Sequence, residues 1–200
     1  MSFLLNEQFA PPGDGDDEIL RLLKQLESGV PMDQQIAAQR LIEMRAEKAL
    51  VTALRSKNPI AAQLATSGLW ECWLNEQGPE ARKVMDAGIA RMEQGELEDA
   101  LEIFVRLCRQ HPDWAEAHNK RATALYLLGN ARQSYKACQL VVELKPDHFG
   151  AWNGMALCAA QMEKWRAALN AAQRGLALQP GAQANLDLIA LAEERLREGA

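Results

Sequence analysis

The chain has 200 residues, 48% apolar and 6% aromatic, with 27 acidic side chains against 22 Lys and Arg and a net charge of −5. That length and apolar content suit one or two domains with a real core, and the abundance of alanine and leucine favours helices over strands. The acidic balance weighs against a nucleic-acid partner without excluding a local basic patch. No stretch reaches the ~18–20 apolar residues of a membrane span, and four cysteines without a C-x-x-C pair fit a reducing compartment better than a zinc site or a disulfide framework.

Residues 1–16 contain Pro11, Pro12, Gly13 and Gly15 and read as a flexible lead-in. Phe3-Leu4-Leu5 has no basic lead-in and no long apolar run, so no secretory signal is expected, and the cytoplasm is the expected location. A plastid stroma would be expected instead if a transit peptide has been removed. Asp14, Asp16, Asp17 and Glu18 precede the first apolar helix, where negative charge favours a helix N-terminus. As a calcium loop they lack the spacing and the closing glutamate.

From 17 to 78 the chain repeats with an offset of 28. Glu27-Ser28-x-x-Pro31 returns loosely as Arg55-Ser56-x-x-Pro59, and Leu22, Leu26, Ala37 and Leu41 return as Leu50, Leu54, Ala65 and Leu69. Each unit reads as a helix, a Ser/Pro turn and a second helix opened by proline, which is tolerated at the first helical position. The pattern resembles a pair of short HEAT-like repeats of the phycobilisome-lyase type. The alternative is a generic helical bundle capping the C-terminal repeats. The link at 75–79 is short, which implies stacked neighbours, with Trp70 and Trp73 near the junction.

From 79 to 182 the period changes to 34. Pro112, Pro146 and Pro180 recur at that offset, each closing a helix that proline cannot continue. So do the small residues Gly88, Ala122 and Ala156, the set Ala100, Ser134 and Ala168, and the turn residues Gly95, Gly129 and Glu163. These positions, with Phe104 and Trp152, resemble three tetratricopeptide repeats (TPRs) at 81–114, 115–148 and 149–182. The resemblance implies an all-α, right-handed solenoid of stacked antiparallel helix pairs. A last amphipathic segment at 183–200 reads as its capping helix, with Leu186, Ile189, Leu191 and Leu196 on the inner face.

Catalytic motifs are missing: no G-x-S-x-G, H-E-x-x-H or G-x-x-x-x-G-K occurs. His111, His118 and His148 are scattered, Cys138 and Cys158 fall at packing positions, and no metal, cofactor or catalytic residue is expected. What the resemblance implies is a concave groove lined by the first helix of each repeat. Its matching positions are Arg82, Met85, Ile89 and Met92, then Glu116, Asn119, Thr123 and Tyr126, then Asn153, Leu157 and Gln161. Asn119 and Asn153, one repeat apart, could bond a peptide backbone; alternatively they only order the groove and its water. The basic clamp of co-chaperones that hold heat-shock chaperone tails is not matched: Met85, Ile89, Gly150 and Gly154 stand at its places, and only Lys120 is basic. Lys120 and Arg121, with Arg82, read as a solvated helix face; the alternative is that they attract an acidic segment.

The expected function is therefore a non-catalytic protein–protein interaction module, a scaffold, adaptor or assembly factor holding a partner segment. The alternatives are a bilin lyase or lyase-like chaperone of photosynthetic pigment proteins, suggested by the 28-residue half, and a structural homo-oligomer.

Overall fold

The computed structural model describes residues 14–199, so residues 1–13 of the expected lead-in lie outside the described residues. Eleven α-helices and no strand are found among the described residues. The chain divides into two compact units after Gly68.

In the first unit α1 (Asp14–Ser28), α2 (Pro31–Glu43) and α3 (Glu47–Ala53) precede α4 (Pro59–Leu74), whose last residues belong to the second unit. Helix α1 starts at Asp14, so the acidic run forms its first turns rather than preceding it. The carboxylates of Asp16, Asp17 and Glu18 lie near the positive end of the helix dipole. The residues related by the 28 offset are buried: Leu22 and Leu50, Leu26 and Leu54, Ala37 and Ala65. Gln34, also buried, donates from Nε2 to the Leu26 carbonyl at 2.7 Å and binds α2 to α1.

The second unit continues with α5 (Gly78–Glu93), α6 (Leu97–Gln110), α7 (Ala115–Leu127), α8 (Ala131–Leu144), α9 (Phe149–Gln161), α10 (Trp165–Leu178) and α11 (Gln183–Glu198). Each helix packs on the next. The odd-numbered helices α5, α7, α9 and α11 also touch in succession, forming one layer, with α6, α8 and α10 behind it. Helices α6, α8 and α10 stop two residues before Pro112, Pro146 and Pro180, where the residue before proline is forced out of helical backbone.

The turn within each pair needs a left-handed residue. Gly95 and Gly129 supply it at φ 81° and 78°, and Glu163 adopts it at φ 56°. A side chain there costs roughly 1–2 kcal/mol relative to glycine, a strain the packing around α9 and α10 sustains. The small residues set how closely helices approach. Gly88, Ala100, Ala122, Ser134, Ala156 and Ala168 are all buried. Ser134 Oγ donates to the Ala122 carbonyl at 2.7 Å and receives the Cys158 thiol at 3.2 Å, joining α7, α8 and α9.

The cap packs differently from the sequence pattern. Helix α11 buries Asn185, Leu188 and Ala192, while Leu186 and Leu191, expected on the inner face, are 42% and 37% exposed. The rotation follows from Asn185, whose Nδ2 donates to Asn153 Oδ1 at 2.8 Å.

A Cβ added at Gly88 would lie 2.6 Å from Phe104 Cε1 and 3.0 Å from Ile103 Cγ2. Gly88→Ala is therefore expected to destabilise the second unit by about 1–3 kcal/mol, read as a lower urea midpoint.

Candidate partner-binding face

The layer α5, α7, α9, α11 carries every groove residue that the repeat pattern implies, but the structure sorts them into two groups. Met85 has no exposed surface and packs in a cluster with Phe104, Leu107 and Trp114. It is core rather than groove floor, because the small Ala117 and Ala124 draw α7 close to it. Glu116 is likewise fully buried, and Asn119 nearly so. These three support the face from beneath and offer a partner almost nothing.

The remaining positions reach the surface. Ile89 and Met92 on α5 are half-buried against the same cluster. Thr123 and Tyr126 on α7 are half-buried, and Thr123 Oγ1 donates to the Asn119 carbonyl at 3.1 Å. Leu157 on α9 is 44% exposed, and Gln161 is exposed. Two residues not expected in the groove stand on the same layer: Leu127, 51% exposed, and Leu191 on α11, expected instead on the inner face of the cap. Leu191 comes one 34-residue step after Leu157, so continuing the repeat past Pro180 would have found it. Ile89, Thr123, Leu157 and Leu191 thus occupy one register position on four neighbouring helices. Helix α9 has no acidic or basic side chain at all.

The asparagines turn inward. Asn119 Nδ2 donates to Glu116 Oε2 at 3.2 Å, and Asn153 Oδ1 accepts from Asn185. They tie the layer together. The cations are also engaged. Arg82 bonds Asp86 at 2.7 Å and Glu71 at 3.3 Å. Lys120 is not on a solvated face: its ammonium lies 3.2 Å from Glu116 Oε1 and 5.2 Å over the Trp70 ring. Arg121 is half-buried, with its Nε enclosed and unpartnered.

Beneath the face lies a buried polar centre that the sequence did not reveal. His148, fully buried, is the N-cap of α9, and its Nδ1 accepts the Ala151 N–H at 3.1 Å. A nitrogen that accepts cannot carry the proton, so the proton is on Nε2, which donates to Glu116 Oε2 at 2.9 Å. The imidazole stacks on Trp73 with ring centroids 4.2 Å apart, and the Trp73 carbonyl accepts from Trp114 Nε1 at 2.7 Å. Trp70 occupies the space a side chain at Gly150 would need, 2.5 Å from the added Cβ. Burial alone would raise the Glu116 pKa; the His148 hydrogen bond and the Lys120 charge outweigh it and hold the carboxyl below its ordinary value.

The other titratable groups are inert in character. Burial pushes the Cys108 thiol up to about 11 and Cys138 up to about 12, and raises Cys158, so all three stay protonated at neutral pH. His118 Nε2 bonds the Pro112 carbonyl at 2.8 Å while its Nδ1 is buried without a partner, and burial lowers its pKa. Among the described residues no three His, Cys, Asp or Glu side chains converge as a metal site, and no helix is long and apolar enough to cross a membrane.

No protein-family model matches the chain. A stretch of 97 residues is 31% identical to a TPR repeat-containing protein of Rhizobium etli, covering 48% of each chain, so the chain spans about half the length of that curated relative. Among solved structures, the first TPR of Spaghetti (RPAP3) bound to an HSP90 peptide aligns over 58% of this chain and 93% of its own, with TM-score 0.57 and 19% identity. The Sgt2 TPR domain from Aspergillus fumigatus aligns over 60% and 82%, with TM-score 0.58 and 20% identity. The MamA protein aligns over 80% and 81%, with TM-score 0.55 and 17% identity. At these identities the likeness is one of fold, and the fold is that of tetratricopeptide repeats.

Glu116→Gln removes the charge but keeps the shape. It is expected to cost about 1.5–3 kcal/mol at pH 7. Because the folded carboxyl titrates below its ordinary 4.5, its stabilisation is fully present above that value and is lost as pH falls through the lower folded one. The gap in urea midpoint between wild type and variant should therefore narrow below pH 4.5.

Proposed function

We propose that the chain is a non-catalytic protein-interaction module that takes a partner segment across the α5, α7, α9 and α11 layer. The observation that carries this reading is the row Ile89, Thr123, Leu157 and Leu191, repeated at 34 residues, with Leu157 and Leu191 partly exposed to solvent. An exposed apolar row on neighbouring helices is stabilised by covering it. A TPR of like fold is bound to a peptide in the RPAP3 structure.

The nature of this row favours an apolar segment over a charged tail. Arg82 and Lys120 are neutralised internally, and Gly150 leaves its space to Trp70. That set offers no free cationic clamp for a terminal carboxylate, so heat-shock chaperone tails are not the proposed partner. We read the 28-residue half as HEAT-like: Pro31 and Pro59 each open a second helix, and the matched leucines and alanines are buried. No particular observation favours a lyase or a homo-oligomer over an adaptor. The four free cysteines, all buried, suit a reducing cytoplasm.

A photo-crosslinking side chain placed at Leu157 or Leu191 in the native cell should capture a discrete partner, and the same group at Glu102 on α6 should not. Leu157→Asp should lower capture about ten-fold or more with unchanged helical circular dichroism. Equal capture at Glu102 and Leu157 would overturn the reading.

A further inference from the structure

The charge of the chain is not evenly spread. Between Asn119 and Leu186 there are eight Lys and Arg against three Asp and Glu, a local +5 in a chain of net −5. The rest of the chain therefore carries −10. Much of this positive charge stands on the rear layer, opposite in the helix pairs to the apolar face.

Helices α8 and α10 place it. Arg132 and Lys136 on α8, Lys164 before α10 and Arg174 on α10 are exposed, and none has an ion-pair partner among the described residues. They border two adjoining hollows that share Tyr135. One, of about 390 Å³, is lined by Arg132, Lys136 and Lys164; the other, of about 510 Å³, has Arg174 at its edge and Trp152 in its wall. A third hollow, of about 340 Å³, shares Lys136 and adds Arg121, the half-buried guanidinium whose Nε lacks a partner. No carboxylate lines any of the three. In the same unit Arg82, Arg91, Lys120 and Lys145 all have carboxylate partners, whereas Arg132, Lys136, Lys164 and Arg174 are left to meet something outside the chain.

We propose that the α8 and α10 face is a second docking surface, for an acidic polypeptide segment. Charge complementarity selects the sign. The lining selects polypeptide over polyphosphate: Gln139, Asn170 and Gln173 alternate with the cations, and amides both donate and accept, as a peptide backbone requires and a phosphate backbone does not. A nucleic acid would also meet the −10 of the rest of the chain at a charge density of one phosphate per about 1.7 Å. This surface and the apolar face lie on opposite layers, so one chain can hold two segments at once and bridge their owners.

The test uses the full chain and a fluorescein-labelled 16-residue peptide alternating glutamate and glycine, followed by anisotropy. A matched glutamine–glycine peptide, a single-stranded oligodeoxynucleotide and phosphatidylserine vesicles serve as rivals. The acidic peptide should bind best, and binding should weaken as salt is raised. Arg132→Glu with Lys136→Glu should weaken it about ten-fold or more, the milder Arg132→Gln with Lys136→Gln should weaken it less, and Lys83→Glu on α5 should leave it within about two-fold. Leu157→Asp should not alter it, which separates this surface from the apolar face. Equal binding of the glutamine peptide, tighter binding of the oligonucleotide or vesicles, or indifference to both double variants would overturn the proposal.

Discussion

The hydrogen bond from His148 to Glu116 is the constraint on which the second unit turns. It crosses 32 residues, from the start of α9 to the first turn of α7, with both side chains fully buried. A buried carboxylate is costly to desolvate, and it is tolerated here because Nε2–H of His148, Nδ2 of Asn119 and the Lys120 ammonium surround it. The same imidazole caps α9 through Nδ1 and stacks on Trp73. One ring thereby fixes the end of α4, the start of α7 and the start of α9. The cap and the Glu116 bond depend on each other, since the cap decides which nitrogen holds the proton and the proton decides whether Glu116 has a donor.

The two faces follow from that lock. With Glu116, Asn119 and Met85 drawn inside, the α5, α7, α9 and α11 layer is left with the row Ile89, Thr123, Leu157 and Leu191 and with Arg82 and Lys120 paired to carboxylates. On the rear layer Arg132, Lys136 and Arg174 stay exposed, with no carboxylate lining the hollows they border. A protein of net negative charge thus has an uncharged row on one layer and exposed cations on α8 and α10 of the other.

The fold was largely legible in the sequence because repeats state local rules many times over. Prolines at 112, 146 and 180 mark where helices end, and small residues at 88, 122 and 156 mark close approaches; both depend on neighbours near in sequence. The site was legible only in part. Leu157 and Gln161 reach the surface, yet Met85 and Glu116, implied as groove positions by the same pattern, do not. Their burial comes from partners distant in sequence: Trp114 and Phe104 around Met85, His148 beside Glu116, and Trp70 filling the place above Gly150. A repeat pattern aligns positions, but it cannot say which long-range side chain will cover one of them. Lys120 shows the same limit, reading as solvated until Glu116 and Trp70 are placed beside it.

The protonation pattern of His148 tests the account most directly. Nitrogen-15 NMR of imidazole-labelled protein at pH 7 should find a neutral ring with the proton on Nε2 and an accepting Nδ1, coupled to the Ala151 amide. A proton on Nδ1, alone or in an imidazolium, would break the α9 cap and contradict the lock between α7 and α9.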